Sequence, residues 1–580
     1  MLFAVAMAGA AAVPMVTSAR TVNRLPLELC ATEERSDLGM VATGSPEATR
    51  AAVDVLERGG NAIDAAVAAA LMLGVVDLDA SGIAGATNML VHLASGRTLA
   101  VDGTSKAPLK IDIERFRKFK ASGRTHGYET IAVPTTLASL EYARERFGTM
   151  PMATLLESAI HVAEHGYPLT DLQVMWTKKY YDDIMNSPLY VRYLTMEDGR
   201  TIGEPGDRFC QPDLATTLRT IANEGVRSFY FGSIAQRIEE DMIRGGGFLR
   251  RSDLATVRIR EVRPLHTTYR GFDVYTFPPP GGGAGVVAAL NLLETYPSEF
   301  LAADSVERHH VVIESFRIAA ADSRVAANLT KLLGPHPLSK RYARERVKLI
   351  TPARMIPVGS LATPIPPECD QPGESTTQIS VADQWGNVVS LTQTLSRSFG
   401  AKIATPGLGF PYNSFLETYN ADKPQCPGYL QPNSPCKTDM APTIVLNHGV
   451  LVAALGTPGS NRTPAIITEV ISNIVDRGMR LRESVAAPRI LWGGMTRRRA
   501  YVEVGGQISE DEIEELERIG HEGMTVLRFP PPGDDTMAKF GGVNAVGYDP
   551  QTLSFTGVGD PRRNGFALGP RVVAGQSLPD

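Results

Sequence analysis

The stretch of this sequence best suited to chemistry is Gly373-Glu374-Ser375-Thr376-Thr377. It sets a hydroxyl residue at the start of a β-rich run. The preceding segment, 349–374, is rich in proline (Pro352, Pro357, Pro364, Pro366, Pro367, Pro372) and reads as exposed and extended. A self-cleaving threonine needs that arrangement. The Thr376 hydroxyl would attack the carbonyl of Ser375, an N-to-O acyl shift would leave an ester, and water would cut it. The α-amino group so released would lie beside its own hydroxyl. Its ordinary pKa of about 7.7–8.0 suits a general base near neutrality. The plain alternative is that threonine is common in strands because it fits a pleated surface. Local spacing does not decide between them.

Other patterns that could carry chemistry fall short. The loop PPPGGGAG (278–285) precedes a helix but lacks the Lys-Ser/Thr of a phosphate loop, and it does not match GxGxxG with a downstream acid. It reads better as backbone packed on backbone. The ten histidines are scattered, the adjacent His309 and His310 point to different faces of a helix, and there is no HExxH. No GxSxG elbow is present. The five cysteines form no CxxC and are too few for a disulfide scaffold. No metal or organic cofactor is expected.

The elements that would hold Thr376 are legible around it. Thr376–Ala382 and Val388–Leu395 are two β-rich runs joined by a polar turn at Gly386-Asn387. Thr443–Leu455, broken at Asn447-His448-Gly449, reads as a second hairpin. Before these lie helices. Ser45-Pro46-Glu47 provides a cap, a pre-set first turn and a dipole-compensating carboxylate. Gly59-Gly60 stops that helix, and Asn61 caps a second, AIDAAVAAALMLGVV, apolar on nearly all sides and so buried. Amphipathic segments follow at 152–165, 233–244 and 306–321. Helices first and strands later predict a layered α+β protein.

Composition sets the outer bounds. The chain has 580 residues, 43% of them apolar and 21% charged, and a net charge of -5. That is a globular composition, without the basic stripe of a nucleic-acid binder. The longest apolar stretch, Ala65–Val76, lies between Asp64 and Asp77 and is too short to span a bilayer. Residues 1–19 carry no charge before Arg20. They have the apolar centre and small residues of a secretory signal but not its positive start. A cytoplasmic location is favoured, with a secreted or periplasmic one as the alternative.

From Gly39 to Arg562 the chain resembles the γ-glutamyltransferase (glutathione hydrolase) family of N-terminal-nucleophile hydrolases. The resemblance is carried by MVATGSPEATRAAVDVLERGGNAIDAAVAAA (40–70), AVP (132–134), FGTMP (147–151), YRGFDVY (269–275) before PPPGGG, and AADSR (320–324). Its most specific part is TTQISV (376–381), GNVVSLTQTL (386–395) and Phe399-Gly400, followed by MAPTIV (440–445), LGTPGSNR (455–462) and AAPR (486–489). The resemblance implies a four-layer αββα sandwich and one precursor cut between Ser375 and Thr376. It divides the chain into an extension (1–38), a large subunit (39–375) and a small subunit (376–580) sharing one core as a heterodimer. By position it makes Thr376 the nucleophile and Thr394 the hydroxyl that assists processing. Gly459 and Ser460 match the pair whose N–H groups form the oxyanion hole; Ser in place of Gly keeps its N–H.

The positions that hold the glutamyl group in the family are altered. Thr104 stands where a signature Arg clamps the α-carboxylate, removing a bidentate charge-assisted contact. A Ser-Ser pair becomes Thr438-Asp439, whose acid would repel that carboxylate. The Asn and Gln near the α-amino end become Ser396 and Ser414, and the Asp that pairs with the amine becomes Glu417. Gln378 replaces a His, and a Gly-rich stretch reads Ser81-Gly82-Ile83-Ala84-Gly85-Ala86-Thr87. These changes gather at one function. They predict an acyl-transfer enzyme acting on a small molecule with a non-glutamyl acyl group. The alternatives are C–C cleavage in biosynthesis of a specialised metabolite of the 4-alkylproline type, a true glutathione hydrolase in which Lys106 or Lys437 takes the carboxylate, and an uncut binding homologue.

Overall fold

The centre of the large half is a helix, Ala62–Val76, buried along its whole length. Asn61 caps it by accepting from the N–H groups of Ile63 and Asp64, and the Asp64 carboxylate returns a bond to the Asn61 N–H. The helix before it, Pro46–Glu57, starts as its sequence predicts: the Ser45 hydroxyl accepts from the Glu47 N–H at 3.2 Å. Both pack with Met152–His165 and further helices on one face of a sheet.

The chain's computed structural model describes residues 32–195, 199–328, 336–361, 375–424, 426, 428–492, 500–504, 508–521, 524–528 and 539–571. The stretch 1–19 and the proline-rich segment beyond Leu361 lie outside them. Two seven-stranded sheets dominate. One runs Phe566–Leu568, Gly39–Thr43, Ser375–Asp383, Val388–Ser396, Ala86–His92, Thr98–Gly103, Arg260–Val262; every adjacent pair is antiparallel. The other runs Thr32–Ser36, Ser554–Gly559, Asn544–Asp549, Val450–Gly456, Thr443–Asn447, Phe272–Thr276, Leu265–Tyr269, again antiparallel throughout.

Three apolar cores make the layering explicit. Met40, Leu90, Ala382 and Val388 of the first sheet meet Ile444, Leu451, Val546 and Phe555 of the second in a core between the sheets. A helical core covers the outer face of the first sheet, and Gly283–Leu293, Val306–Asn328 and Thr463–Val475 cover the second. The architecture is an αββα sandwich.

Both predicted hairpins form, over Ser375–Ser396 and Thr443–Gly456. The order of elements differs from the prediction. Strands do not wait for the second half: Gly39–Thr43, Ala86–His92 and Thr98–Gly103 flank the Thr376 hairpin. They are almost wholly buried, so their sequences lack the alternation that marks a half-exposed strand. The stretch 1–38 is likewise not all extension, because Thr32–Ser36 forms the edge of the second sheet against Ser554–Gly559. Among the described residues no helix is long and apolar enough to cross a membrane.

Candidate active site

Thr376 sits where the hairpin loses register. Ser375 pairs with Ser396 and Thr377 with Gln393, so Thr394 and Leu395 together stand opposite Thr376. A two-against-one bulge of this kind turns side chains that a regular ladder would hold alternately. Its result is specific: the Thr394 hydroxyl donates a hydrogen bond to the Ser375 carbonyl oxygen. The same Thr394 oxygen accepts from the Ser396 N–H at 2.8 Å. Ser375 is fixed from its other side, its hydroxyl donating to the Asp79 carbonyl at 2.8 Å. The carbonyl preceding Thr376 is thus polarised and immobilised.

A small pocket opens on Thr376 and is lined also by Thr394, Ser396, Thr418, Thr438, Asp439 and Ser460. Two of these residues have left-handed backbones without being glycine, Ser396 (φ 81°) and Ser460 (φ 58°). Such conformations cost of order 1–2 kcal/mol and gather at functional sites. Both hydroxyls are buried with no hydrogen-bond partner among the described residues. Gly459 and Ser460 lead into the turn and helix at 460–475, and neither backbone N–H is engaged among the described residues. Unengaged donors are one requirement of an oxyanion receptor, and of these two residues Ser460 lines the Thr376 pocket.

Lys437, Thr438 and Asp439 form one wall of the pocket. Thr438 N–H donates to the Pro280 carbonyl at 3.1 Å, and Gly282 N–H donates to the Met440 carbonyl at 2.9 Å. A Cβ on Gly282 would lie 2.4 Å from the Asp439 carbonyl oxygen. The glycine-rich loop therefore packs backbone on backbone, as its sequence suggests. Lys437 Nζ and an Asp439 carboxylate oxygen are 3.8 Å apart.

Three other predicted residues, Thr104, Ser414 and Glu417, are not among those that line this pocket. Thr104 is buried, its N–H donating to Asp102 at 3.1 Å. Ser414 is tied by its N–H to the Leu395 carbonyl at 2.9 Å. Glu417 is buried and bound bidentately by Arg397, with both contacts at 2.9 Å. Lys120 Nζ lies 3.8 Å from the same carboxylate. Glu417 already has two cations. Sequence comparison position by position misses this, since Arg397 belongs to no motif; the signal was its place directly after Ser396.

On the other side of Thr376 lies a cavity of about 40 Å³, lined by Asp77, Asp79, Thr377 and Arg563 among others. That volume holds a water molecule or two. Burial, with Asp79 alongside, raises the Asp77 carboxyl far above its ordinary range, against the opposing hydrogen bond from Thr377. Burial also raises Asp79, and Arg563 opposes it. The pair therefore retains a proton that the unfolded chain would have lost. The stability this confers is full below the ordinary carboxyl pKa and is lost as pH rises through the raised values. Unfolding by urea should show stability falling by up to about 1.4 kcal/mol per pH unit across neutrality. Asp77→Asn should flatten that slope, because burial is the larger cause of the rise and acts on Asp77 itself; an equal slope in the variant would remove Asp77 as its source.

The fold and this site define an N-terminal-nucleophile type of hydrolase. The gamma-glutamyltranspeptidase family profile matches residues 48–569. The chain belongs to that family. A glutathione hydrolase proenzyme of Pseudomonas sp. (strain A14) is 34% identical over 92% of this chain and 94% of its own length. An acylase ACY 1 proenzyme of Pseudomonas sp. (strain V22) is 33% identical over 88% of this chain and 90% of its own. Among solved structures, a cephalosporin acylase from Bacillus halodurans superposes with a TM-score of 0.80 at 27% identity, covering 93% of this chain and 97% of that one.

Proposed function

We propose that the chain cuts itself between Ser375 and Thr376 and then works as an acylase or acyltransferase on a small amide whose acyl group is not γ-glutamyl. The observation that carries this reading is the Thr394 hydroxyl on the Ser375 carbonyl, at the bulge opposite Thr376. In the precursor, that bond draws electron density from the carbonyl that Thr376 attacks. After the cut, residues 39–375 and 376–580 remain together as large and small subunits. The freed Thr376 α-amine takes the proton of its own hydroxyl as the oxygen attacks the substrate carbonyl. The N–H groups of Gly459 and Ser460 receive the oxyanion. Collapse returns the proton to the departing amine and leaves an ester on Thr376, which water or a second amine resolves.

The altered pocket supports the non-glutamyl part. With Thr104 uncharged and absent from the pocket lining, Glu417 held by Arg397 and Asp439 on the wall, the α-carboxylate loses its clamp and meets a like charge. Relatives named as acylases support the same side. A second reading, a true glutathione hydrolase, is favoured by one observation: Lys437 lies on the pocket wall, although Asp439 shares its charge.

The test is the mass of the small fragment after brief exposure to a panel of amides. A gain equal to the acyl group, localised to Thr376, is the expected result. An adduct on any other residue would overturn the assignment, and a γ-glutamyl adduct formed in preference to all others would select the second reading.

A further inference from the structure

Behind the Lys437-Thr438-Asp439 wall lies a second, much larger cavity of about 390 Å³. These three residues line both spaces, so the large cavity adjoins the Thr376 pocket directly. Its size falls in the range of small-molecule sites. Most of its surface is apolar, from Phe316, Ala320, Tyr429, Pro464 and Trp492 among others. Asn461 and Trp492 both line it, and both carry a buried polar atom, the Asn461 Oδ1 acceptor and the Trp492 Nε1 donor, without a hydrogen-bond partner among the described residues. Buried polar groups left unpaired cost stability, so a ligand towards which the Asn461 and Trp492 side chains turn would gain by pairing them. Trp492 is held in place: the Arg317 guanidinium lies 4.9 Å from its ring centroid and is itself bound to Glu314 and the Ile356 carbonyl. The shared wall carries one charge of each sign, Lys437 and Asp439, with Nζ 3.8 Å from a carboxylate oxygen.

We infer that this cavity holds the portion of the substrate remote from the scissile bond. That portion is an uncharged, ring-bearing body presenting one hydrogen-bond donor and one acceptor. The inference rests on Thr376 being the nucleophile, since its pocket fixes where the scissile carbonyl lies. Apolar contact supplies the affinity, and the donor and acceptor set the orientation of the ring.

Two series of amides test it on the purified, self-cut enzyme, followed by mass spectrometry. In the acyl series, N-ethyl amides carry acetyl, phenylacetyl and 4-carbamoylphenylacetyl groups. In the amine series, acetamides are made from ethylamine, benzylamine and 4-carbamoylbenzylamine. One series should show kcat/KM rising at least tenfold from alkyl to ring, and again severalfold with the carbamoyl group. The responding series identifies which half of the substrate enters the cavity. Ala320→Phe, which fills the space, should lower the ring-to-alkyl ratio at least tenfold. Trp492→Phe, which deletes only the N–H and the second ring, should lower the carbamoyl-to-ring ratio. Self-cut fragments in each variant check folding. Flat ratios in both series, ratios unmoved by both substitutions, or no turnover of any ring-bearing amide by a self-cut enzyme would overturn the cavity assignment. A chain that stays uncut would instead overturn the nucleophile reading beneath it.

Discussion

Purified Thr376→Ala protein should run on a denaturing gel as one uncut chain, where the natural protein should give fragments of 375 and 205 residues, the larger shorter still if a leader is removed. Its turnover of any amide should fall by about 10³-fold or more. Both effects follow from one oxygen. The Ser375 carbonyl is already held by Thr394 and the Ser375 side chain by Asp79, so the variant keeps the bond positioned and loses only the attacking group. Thr376→Ser is the informative partner. It restores the hydroxyl without the methyl and should cut more slowly but still cut. A full-length band in the natural protein would refute self-processing. Turnover that survives in Thr376→Ala would mean that another residue is the nucleophile.

The second large effect concerns what the enzyme refuses. γ-Glutamyl-p-nitroanilide should be hydrolysed with a kcat/KM at least about 100-fold below that of a matched anilide whose acyl group lacks the α-carboxylate. A hydrogen bond to a charged group contributes about 1.5–3 kcal/mol, and a bidentate clamp supplies two. Here Thr104 offers no cation and does not line the wall, while Asp439 lines it. Glu417, which could have drawn the substrate amine, is neutralised by Arg397. Asp439→Asn removes the repulsion and should raise γ-glutamyl hydrolysis severalfold. Equal rates on the two anilides would show that Lys437 supplies the clamp after all.

How far these features could be read without coordinates depends on the distance over which they are encoded. Helix caps at Ser45 and Asn61, both hairpins and the strand carrying Thr376 depend on neighbours within a few residues, and each lies where the sequence implies. The bulge opposite Thr376 could not be read, because a one-residue slip between strands leaves the apolar pattern of either unchanged. Strands such as Ala86–His92 are buried on both faces and lose the alternation that would announce them. The Arg397–Glu417 pair and the contact of Asp77 and Asp79 with Arg563 unite residues brought together only by the fold. Asp77 was visible merely as the end of an apolar run. In the pocket, substitution by position named Ser396, Thr438, Asp439 and Ser460, which line it, but had no means of separating them from Thr104, Ser414 and Glu417, which do not.

The strand order of the first sheet has a further meaning for the life of the protein. Going across it, strands from before and after Thr376 alternate in blocks: 566–568 after, 39–43 before, 375–396 almost wholly after, 86–103 and 260–262 before. The second sheet is likewise built from strands before and after Thr376. A break at Ser375–Thr376 would leave these ladders intact but remove the covalent memory of how they were assembled. Neither piece owns a complete sheet, so neither can rebuild one alone. Unfolding would then be easier to undo before the cut than after it. Maturation would convert a chain that can find its fold again into a two-piece assembly whose loss is a bimolecular problem, sensitive to dilution. Recovery after denaturation should accordingly depend on protein concentration only once the bond is broken.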